Sequence, residues 1–367
     1  MQYNRFQDLQ LSALGLGCMR FPVVDGDYGK IDMEKTVQLV DLAMRSGINY
    51  YDTAWFYHEG TSESVMGQLL SKYPRSSYYL ASKYPGVEHE KEAGGIPLFE
   101  RQLERCQVDY FDFYLFHNVW EKNVQTYLDP NGEIGPYILR QKEEGKIRHL
   151  GFSTHGSLET MKRFLDKYAQ HLEFCQIQLN WLDWDLQNAK EKVKLIDSYG
   201  LPVWVMEPIR GGRLAQLPDS FMAPLKALHP DWTAPEWALR FLQSIPQVKM
   251  VLSGMSNESQ LRENIATFSR IQGLNEEEKR ALFGVAKAMN FTNTLCCTGC
   301  RYCADHCPQG LDIPEMVKRY NAGIFSGSVD LSGFPDGKAP NDCIGCGSCE
   351  AVCPQKIQIC QMMEDLK

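Results

Sequence analysis

Short apolar runs rich in branched and aromatic residues alternate with longer amphipathic segments over most of the chain. Eight of these runs are expected to be strands: residues 14–17, 48–52, 78–82, 111–116, 147–152, 174–179, 203–206 and 248–252. Between most of them, apolar positions recur at helical spacing, as in residues 33–46, 62–70, 157–169 and 234–243. Eight strand-then-helix units in about 270 residues predict an α/β fold, a (β/α)8 TIM barrel.

A doubly wound sheet is the alternative for such an alternation. That fold usually has the dinucleotide-binding motif G-x-G-x-x-G after its first strand. Here Gly15 and Gly17 are followed by Arg20 where the third glycine would fall, and the chain has no G-x-x-x-x-G-K-[ST] phosphate loop. The pattern therefore favours the barrel.

Composition and charge narrow the class of protein. The 367 residues are 44% hydrophobic and 23% charged, which is ordinary for a globular protein. The net charge is −8 and no long basic run occurs, so we expect no nucleic acid and no membrane as partner. No apolar run approaches the roughly 18 residues of a membrane span, and the first residues lack the apolar core of a signal peptide. We therefore expect a cytoplasmic protein, in which thiols usually serve metals or catalysis.

The 13 cysteines are concentrated near the end of the chain, where ten lie between Cys296 and Cys360. This shift and the spacing of the cysteines predict a barrel over residues 1–275, a connecting helix over 276–290 and a small ferredoxin-like domain over 291–367. Within that domain the spacing C-x2-C-x2-C-x3-C-P occurs twice, starting at Cys297 and at Cys343. The sequence thus contains an internal duplication.

Each cysteine run has the spacing of bacterial ferredoxins, in which three thiolates of one run and the fourth of the other bind one [4Fe–4S] cluster. We assign two clusters, with the ligand sets Cys297, Cys300, Cys303 and Cys353, and Cys343, Cys346, Cys349 and Cys307. Structural zinc is the alternative, although zinc sites are usually built from two pairs of ligands. Cys296 is out of register with its run, and Cys360 and the three cysteines of the barrel are expected to be small buried apolar side chains.

Ionisable residues follow three consecutive predicted strands, and barrel enzymes carry their catalytic groups at the carboxyl ends of strands. These residues are Asp52, Tyr57, Lys83 and His117. Each alone has a structural explanation in a turn, in the core or at the surface, but together they suit proton donation. We expect Lys83, paired with Asp52, to favour ionisation of Tyr57, whose hydroxyl then protonates a nascent alkoxide. We expect His117 to hydrogen-bond the carbonyl oxygen of a substrate.

Over about residues 10–270, the chain resembles the aldo-keto reductase family. The resemblance is carried by residues 15–20, 47–54, 145–153 and 253–256. It implies that the four ionisable residues form a catalytic tetrad. It also implies that hydride passes from NADPH or NADH, bound extended across the barrel mouth, to a small carbonyl substrate.

The resemblance further implies contacts to the cofactor by position. Ser153 and Gln176 match residues that hydrogen-bond the nicotinamide carboxamide. Gly211 and Gly212 match the pyrophosphate loop, although a plain strand-to-helix turn would also explain them. The other implied contacts, which include the adenine end at Glu263 and Asn264, are Cys18, Met19, Asp52, Met206, Pro208, Gly254, Ser256 and Gln260.

The chain departs from the family pattern at three places. Thr154 stands where an asparagine commonly follows the serine, and Met206 where an aromatic residue often stacks on the nicotinamide. Gly254, Ser256 and Gln260 replace basic residues that grip the 2′-phosphate of NADPH, which leaves NADH open as the cofactor. The arginines that could compensate are Arg210, Arg213 and Arg262.

Two functions stay open at this point. The first is an NAD(P)H-dependent carbonyl reductase with an appended dicluster domain, whose clusters are structural, shape a lid over the active site or relay electrons to a partner protein. The second is an electron-transfer or redox-sensing protein that uses the barrel as a nicotinamide-binding scaffold without turnover. The complete set of four ionisable residues favours the enzyme, and the sequence does not name its substrate.

Overall fold

The computed structural model describes residues 1–94, 97–290, 294–326, 329–334 and 337–367. It divides into two compact units. The barrel unit comprises Met1–Pro208 and Pro235–Lys279, and the cysteine-rich unit comprises Ile209–Ala234 and Arg280–Lys367. Ile209–Ala234 thus belongs to the same unit as the cysteine runs, which the distribution of cysteines along the chain does not indicate. The predicted start of the second domain at residue 291 lies outside the described residues.

All strands of the described chain belong to the barrel unit. They are β1 (Tyr3–Phe6), β2 (Leu9–Ser12), β3 (Leu14–Gly17), β4 (Tyr50–Asp52), β5 (Tyr79–Tyr84), β6 (Phe111–Phe116), β7 (Ile147–Thr154), β8 (Phe174–Gln178), β9 (Val203–Met206) and β10 (Val248–Ser253). Strands β3 to β10 form a closed parallel barrel in chain order, and β10 closes it by pairing with β3. The predicted barrel fold is confirmed.

Helices follow most of the barrel strands. They are α1 (Met33–Arg45), α2 (Ser62–Leu70), α3 (Leu98–Cys106), α4 (Val124–Leu128), α5 (Ile134–Glu143), α6 (Leu158–Tyr168), α7 (Asp183–Leu186), α8 (Ala189–Ser198), α9 (Asp219–Lys226), α10 (Ala234–Gln243), α11 (Glu258–Thr267), α12 (Glu276–Asn290), α13 (Tyr302–Asp305), α14 (Ile313–Ser326), α15 (Ser348–Ala351) and α16 (Ile359–Asp365). Within the described ranges, none of them has the length and apolar character that crossing a membrane requires.

The strands and helices follow from their burial patterns. All six residues of β6 are buried, as expected for a parallel strand covered on both faces. Helix α6 turns Met161, Phe164 and Leu165 inward at helical spacing. The side chain of Ser157 caps this helix by accepting a hydrogen bond from the backbone N–H of Thr160.

A hairpin of β1 and β2 packs at one end of the barrel. These two strands were not predicted from the sequence. The ring of Phe6 lies 5.1 Å from the ring of Trp204 and 5.7 Å from that of Phe113. Tyr50 and Phe174, the first residues of β4 and β8, belong to the same buried cluster. The hairpin therefore packs at the amino ends of the strands, and the carboxyl ends remain for functional side chains.

The cysteine-rich unit repeats one local structure. The third cysteine of each run lies in a short helix, Cys303 in α13 and Cys349 in α15. The residue before each helix, Arg301 or Gly347, has a positive φ of 65° or 74°. Helices α14 and α16 contribute to the apolar core of the unit, and its members from these helices are Ile313, Met316, Val317, Ile359, Met362 and Met363.

Candidate active site and cysteine sites

Asp52 and Lys83 form a buried ion pair near the carboxyl ends of the adjacent strands β4 and β5. The Nζ of Lys83 donates to Asp52 Oδ1 at 2.6 Å and to the backbone oxygen of Thr53 at 2.7 Å. Burial raises the pKa of Asp52, and the Lys83 ammonium opposes this rise. Strand β5 continues to Tyr84, because Tyr84 still pairs with Phe116 of β6, so Lys83 lies inside the strand and not at its end as predicted.

Tyr57 lies on the loop after β4, with its phenol oxygen beside the ammonium of Lys83. Lys83 Nζ donates to Tyr57 Oη at 3.3 Å and lies 4.8 Å from the centre of the ring. The tyrosine is partly exposed, whereas Asp52 and Lys83 are buried. A cation beside the phenol oxygen stabilises the phenolate that forms when the hydroxyl gives up its proton. The predicted proton donor and its activating group are thus adjacent.

His117 follows β6 and lies close to Tyr57. The two ring centres are 6.3 Å apart and the ring planes are nearly perpendicular. Burial lowers the pKa of His117 well below its usual value, and the charge of Lys83 lowers it further, so the imidazole is neutral near pH 7. Within the described part of the chain, Nδ1 has no hydrogen-bond partner. A neutral imidazole can donate one hydrogen bond to a carbonyl oxygen.

Ser153 and Gln176 lie side by side in the paired strands β7 and β8. Ser153 Oγ accepts a hydrogen bond from the backbone N–H of Asn118 at 2.9 Å, so its own hydroxyl proton points elsewhere. Gln176 Oε1 is buried and has no hydrogen-bond partner among the described residues. A buried amide oxygen of this kind fits the NH2 group of a carboxamide. These two residues therefore fit the nicotinamide.

Three other residues that the sequence singles out differ in their contacts. Thr154, where the family commonly has asparagine, donates to the backbone oxygen of Val119 at 2.5 Å and accepts from the backbone N–H of Gly156, so it stabilises the turn after β7. Met206 ends β9, and its sulfur lies 3.8 Å from Gln176 Nε2. Cys18 is buried, and its thiol donates to the backbone oxygen of Leu16 at 3.7 Å.

The loop after β10, where the adenine end is expected, is braced by short polar contacts. Gln260 Oε1 accepts from the backbone N–H of Ser256 at 2.8 Å, and Asn264 Nδ2 donates to Ser253 Oγ at 3.1 Å. Arg262, one of the arginines that could compensate, forms an ion pair with Glu258 on the exposed face of α11. Glu263 and Asn264 lie on the same helix.

Arg20 contacts the loop after β10, and it was not among the cofactor residues predicted from the sequence. Its backbone oxygen accepts from Ser256 Oγ at 2.7 Å, and its side-chain carbons lie 3.1–3.3 Å from the position that a Cβ on Gly254 would take. The signal was available, because a closed barrel places β3 beside β10, so the residues after these two strands are neighbours.

The remaining predicted cofactor residues fall into two groups. Met19 and Pro208 belong to the barrel unit, with Tyr28 Oη donating to the Met19 backbone oxygen at 3.2 Å. Gly211 and Gly212 belong to the cysteine-rich unit. The structure therefore does not bring the predicted pyrophosphate loop into the same unit as the other cofactor residues.

Two cavities in the cysteine-rich unit are each lined by one of the two predicted sets of four crossed ligands, and Cys360 lines the second cavity as a fifth cysteine. Each cavity encloses about 330 Å³ including its opening to solvent. The first is lined by Cys297, Cys300, Cys303 and Cys353, and the second by Cys307, Cys343, Cys346 and Cys349. In the described ranges, no three His, Cys, Asp or Glu side chains converge closely enough to hold a single metal ion. A cubane makes no such demand, because each of its thiolates binds a different iron.

The surroundings of individual cysteines can be compared with their predicted roles. The backbone N–H of Gly299 donates to the sulfur of Cys297 at 3.3 Å, a contact that suits a ligand thiolate. Cys360 lines the second cavity and is partly exposed, so the expectation that it is a small buried side chain is wrong. Cys18, Cys106 and Cys175 are buried as expected.

Comparison with known proteins decides the family. The model of the aldo/keto reductase family matches residues 13–282, well over half of the chain. The chain belongs to the aldo/keto reductase family. It is accordingly an NAD(P)H-dependent oxidoreductase of the aldo/keto reductase type. A model of the 4Fe-4S dicluster domain matches residues 296–357, so this aldo/keto reductase also carries an iron–sulfur domain.

Several relatives resemble this aldo/keto reductase over most of their length. An uncharacterized oxidoreductase, YqkF, of Bacillus subtilis (strain 168) is 26% identical over 311 residues, covering 75% of this chain and 92% of the relative. The NADH-specific methylglyoxal reductase of Escherichia coli (strain K12) is 26% identical over 306 residues, covering 71% and 91%. The solved structure of aldo-keto reductase AKR11C1 from Bacillus halodurans, in its holo form, aligns with a TM-score of 0.62 at 26% identity, covering 78% and 97%.

Proposed function

We propose that this aldo/keto reductase reduces an aldehyde or ketone to an alcohol, with Tyr57 as the general acid. The observation that supports this is the position of Tyr57 Oη, 3.3 Å from the ammonium of Lys83, with the centre of the tyrosine ring 6.3 Å from that of the neutral His117 ring. When bound, NADPH or NADH supplies the hydride. The chain's own residues then have to orient the carbonyl and deliver one proton.

The proton moves from Tyr57 Oη to the oxygen of the former carbonyl. The O–H bond of the tyrosine breaks and an O–H bond of the alcohol forms, which leaves a phenolate next to Lys83. The ammonium stabilises that phenolate, and Asp52 holds the ammonium in place through its 2.6 Å hydrogen bond. His117 donates a hydrogen bond to the carbonyl oxygen and so orients the substrate.

The nicotinamide is held by its carboxamide, which Ser153 and Gln176 bind through the hydroxyl and the buried amide oxygen described above. The further contacts proposed for the cofactor are Cys18, Met19, Asp52, Met206, Pro208, Gly211, Gly212, Gly254, Ser256, Gln260, Glu263 and Asn264. Arg20 is added to this set, because its side chain lies against Gly254. A cation there can pair with a phosphate on the adenosine ribose.

Two [4Fe–4S] clusters are proposed in the two cavities of the cysteine-rich unit. The first is bound by Cys297, Cys300, Cys303 and Cys353, and the second by Cys343, Cys346, Cys349 and Cys307. A cluster bound in this way passes one electron at a time, whereas hydride transfer moves two. The clusters therefore either stabilise the unit or exchange electrons with a separate partner protein.

The test of this proposal is steady-state oxidation of NADH and NADPH by the full-length protein, purified without oxygen, with a panel of aldehydes. Methylglyoxal belongs in the panel because a relative is named for its reduction. Aldehyde-dependent oxidation of either cofactor is the expected result. Tight binding of the cofactor without turnover of any aldehyde would instead favour the non-catalytic scaffold.

A further inference from the structure

The loop of residues 209–213 begins three residues after the end of β9 and has an unusual backbone conformation. Arg210, Gly211 and Gly212 all have positive φ angles, of 49°, 64° and 98°. An arginine rarely adopts this left-handed region, and such a conformation persists only where the surroundings hold it. The contacts of this loop therefore determine its shape.

Those contacts are made to the segments that carry the ligands proposed for the first cluster. The guanidinium of Arg210 is completely buried and donates to the backbone oxygen of Cys296 at 3.1 Å and to Gln355 Oε1 at 3.2 Å. Cys296 precedes Cys297, and Gln355 is two residues after Cys353. The buried arginine thus contacts the segments next to Cys297 and next to Cys353, the first and last ligands of the first cluster along the chain.

Backbone packing makes the same connection. A Cβ on Gly211 would lie 1.9 Å from the backbone oxygen of Thr298, which leaves no room for any side chain. Thr298 and Gln355 both line the first cavity. Among the described residues that line the second cavity, none belongs to the loop or to its partners at positions 294–298 and 355. The loop is therefore coupled to one cavity and not to the other.

We propose that the first cluster positions the pyrophosphate loop, and that Arg210 is the residue through which it does so. With that cluster assembled, the segments around Cys297 and Cys353 are fixed, and they hold Arg210 and Gly211 in the shape that binds the pyrophosphate. The first cluster then raises the affinity for NADPH or NADH, and the second does not. This inference rests on the proposed function, in which Gly211 and Gly212 bind the pyrophosphate.

Coupling of this kind is reciprocal. If the assembled cluster raises the cofactor affinity by some factor, the bound cofactor raises the stability of the cluster by the same factor. Couplings between sites are typically about 5- to 150-fold. Arg210 is a positioning residue in this account, because it acts on the cofactor only through the backbone of the loop.

The internal duplication provides a matched pair of variants. Gln355 follows Cys353 and Pro354, and Gln309 follows Cys307 and Pro308 in the same way. Neither glutamine is a proposed cluster ligand. Gln355→Ala removes the hydrogen bond from Arg210, whereas Gln309→Ala changes the equivalent position at the second cavity.

The experiment measures the dissociation constants of NADH and NADPH by fluorescence titration of the full-length protein without oxygen. For Gln355→Ala we expect binding weakened at least about fivefold, with iron content and kcat at saturating cofactor unchanged. For Gln309→Ala we expect binding within twofold of wild type. Equal affinities in the two variants, or an equal loss in both, would overturn the inference.

A second readout follows iron directly. In the wild type, saturating cofactor should slow the release of iron to a chelator from one cluster of the two, and Gln355→Ala should abolish this protection. Protection of neither cluster, or of both, contradicts the inference. If the wild type binds neither NADH nor NADPH, the proposed function fails as well, whereas binding that is insensitive to Gln355→Ala rejects this inference alone.

Discussion

Removing the cation from the buried Asp52–Lys83 pair should have a large effect on the stability of the fold, which can be measured separately from activity. Lys83 is completely buried, and Asp52 is 3% exposed. Lys83→Met leaves the carboxylate buried without its cation, and breaking a buried pair in this way typically costs about 3–5 kcal/mol. The double variant Lys83→Met/Asp52→Asn removes both charges and should recover part of that loss.

The pH dependence gives this prediction a second check. Burial already raises the pKa of Asp52, and Lys83 opposes that rise through its charge and its hydrogen bond, so the pKa of Asp52 should rise further when Lys83 is replaced. The folded variant then holds a proton that the unfolded chain loses above about pH 3.9. The loss in free energy of unfolding of Lys83→Met relative to wild type should therefore grow as the pH rises. The corresponding loss of the double variant should not grow with pH, because its asparagine carries no titrating proton.

The assay is urea denaturation of the full-length proteins, followed by tryptophan fluorescence at two pH values. The expected order of stability is wild type, double variant and then Lys83→Met. If Lys83→Met is as stable as the double variant at both pH values, the pair does not hold a charged carboxylate and the reasoning is refuted.

Three further predictions concern the ligands, the titrating groups and the cofactor. Cys307→Ala should damage the cluster bound by Cys343, Cys346 and Cys349, and Cys353→Ala the other one. The readouts are iron per chain, about eight in the wild type, and the spectrum of the surviving cluster; bound zinc without sulfide would contradict both clusters. Burial lowers the pKa of His155 to about 4, so the unfolded chain takes up a proton that the folded chain does not as the pH falls from about 6.5 to about 4. Stability should fall over that range by up to about 1.4 kcal/mol per pH unit, and urea titrations of His155→Gln should show a smaller slope. Arg20→Ala should weaken NADPH by about ten- to a hundredfold relative to NADH in binding titrations, and an equal loss for both cofactors would exclude a phosphate contact.

The barrel could be predicted from the sequence because its strands are read locally. Strand β6 is apolar at five of its six positions and all six residues are buried, and a run of this kind is recognisable without knowledge of its neighbours. The hairpin of β1 and β2 was not predicted, because Phe6 is buried against side chains from distant parts of the chain such as Trp204. The place of the hairpin in the fold depends on this long-range packing, which the local sequence does not show.

The candidate site divides in the same way. Asp52, Tyr57 and Lys83 could be selected because each follows or ends an apolar run, and the ligand cysteines because their spacing is regular. The contact of Gly211 with Thr298 and the place of Cys360 at the second cavity depend on segments far apart in the chain. No local pattern carries such contacts, so only the structure reveals them.

The central claim is that Tyr57 supplies the proton in carbonyl reduction. The most direct measurement is the kcat of Tyr57→Phe with an aldehyde that the wild type reduces, together with the dissociation constant of the cofactor for both proteins. Because general acid catalysis typically contributes about 10²–10⁴-fold, we expect kcat to fall by at least a hundredfold while cofactor binding stays within a few fold of wild type. A variant that keeps more than about a tenth of the wild-type kcat would contradict the assignment.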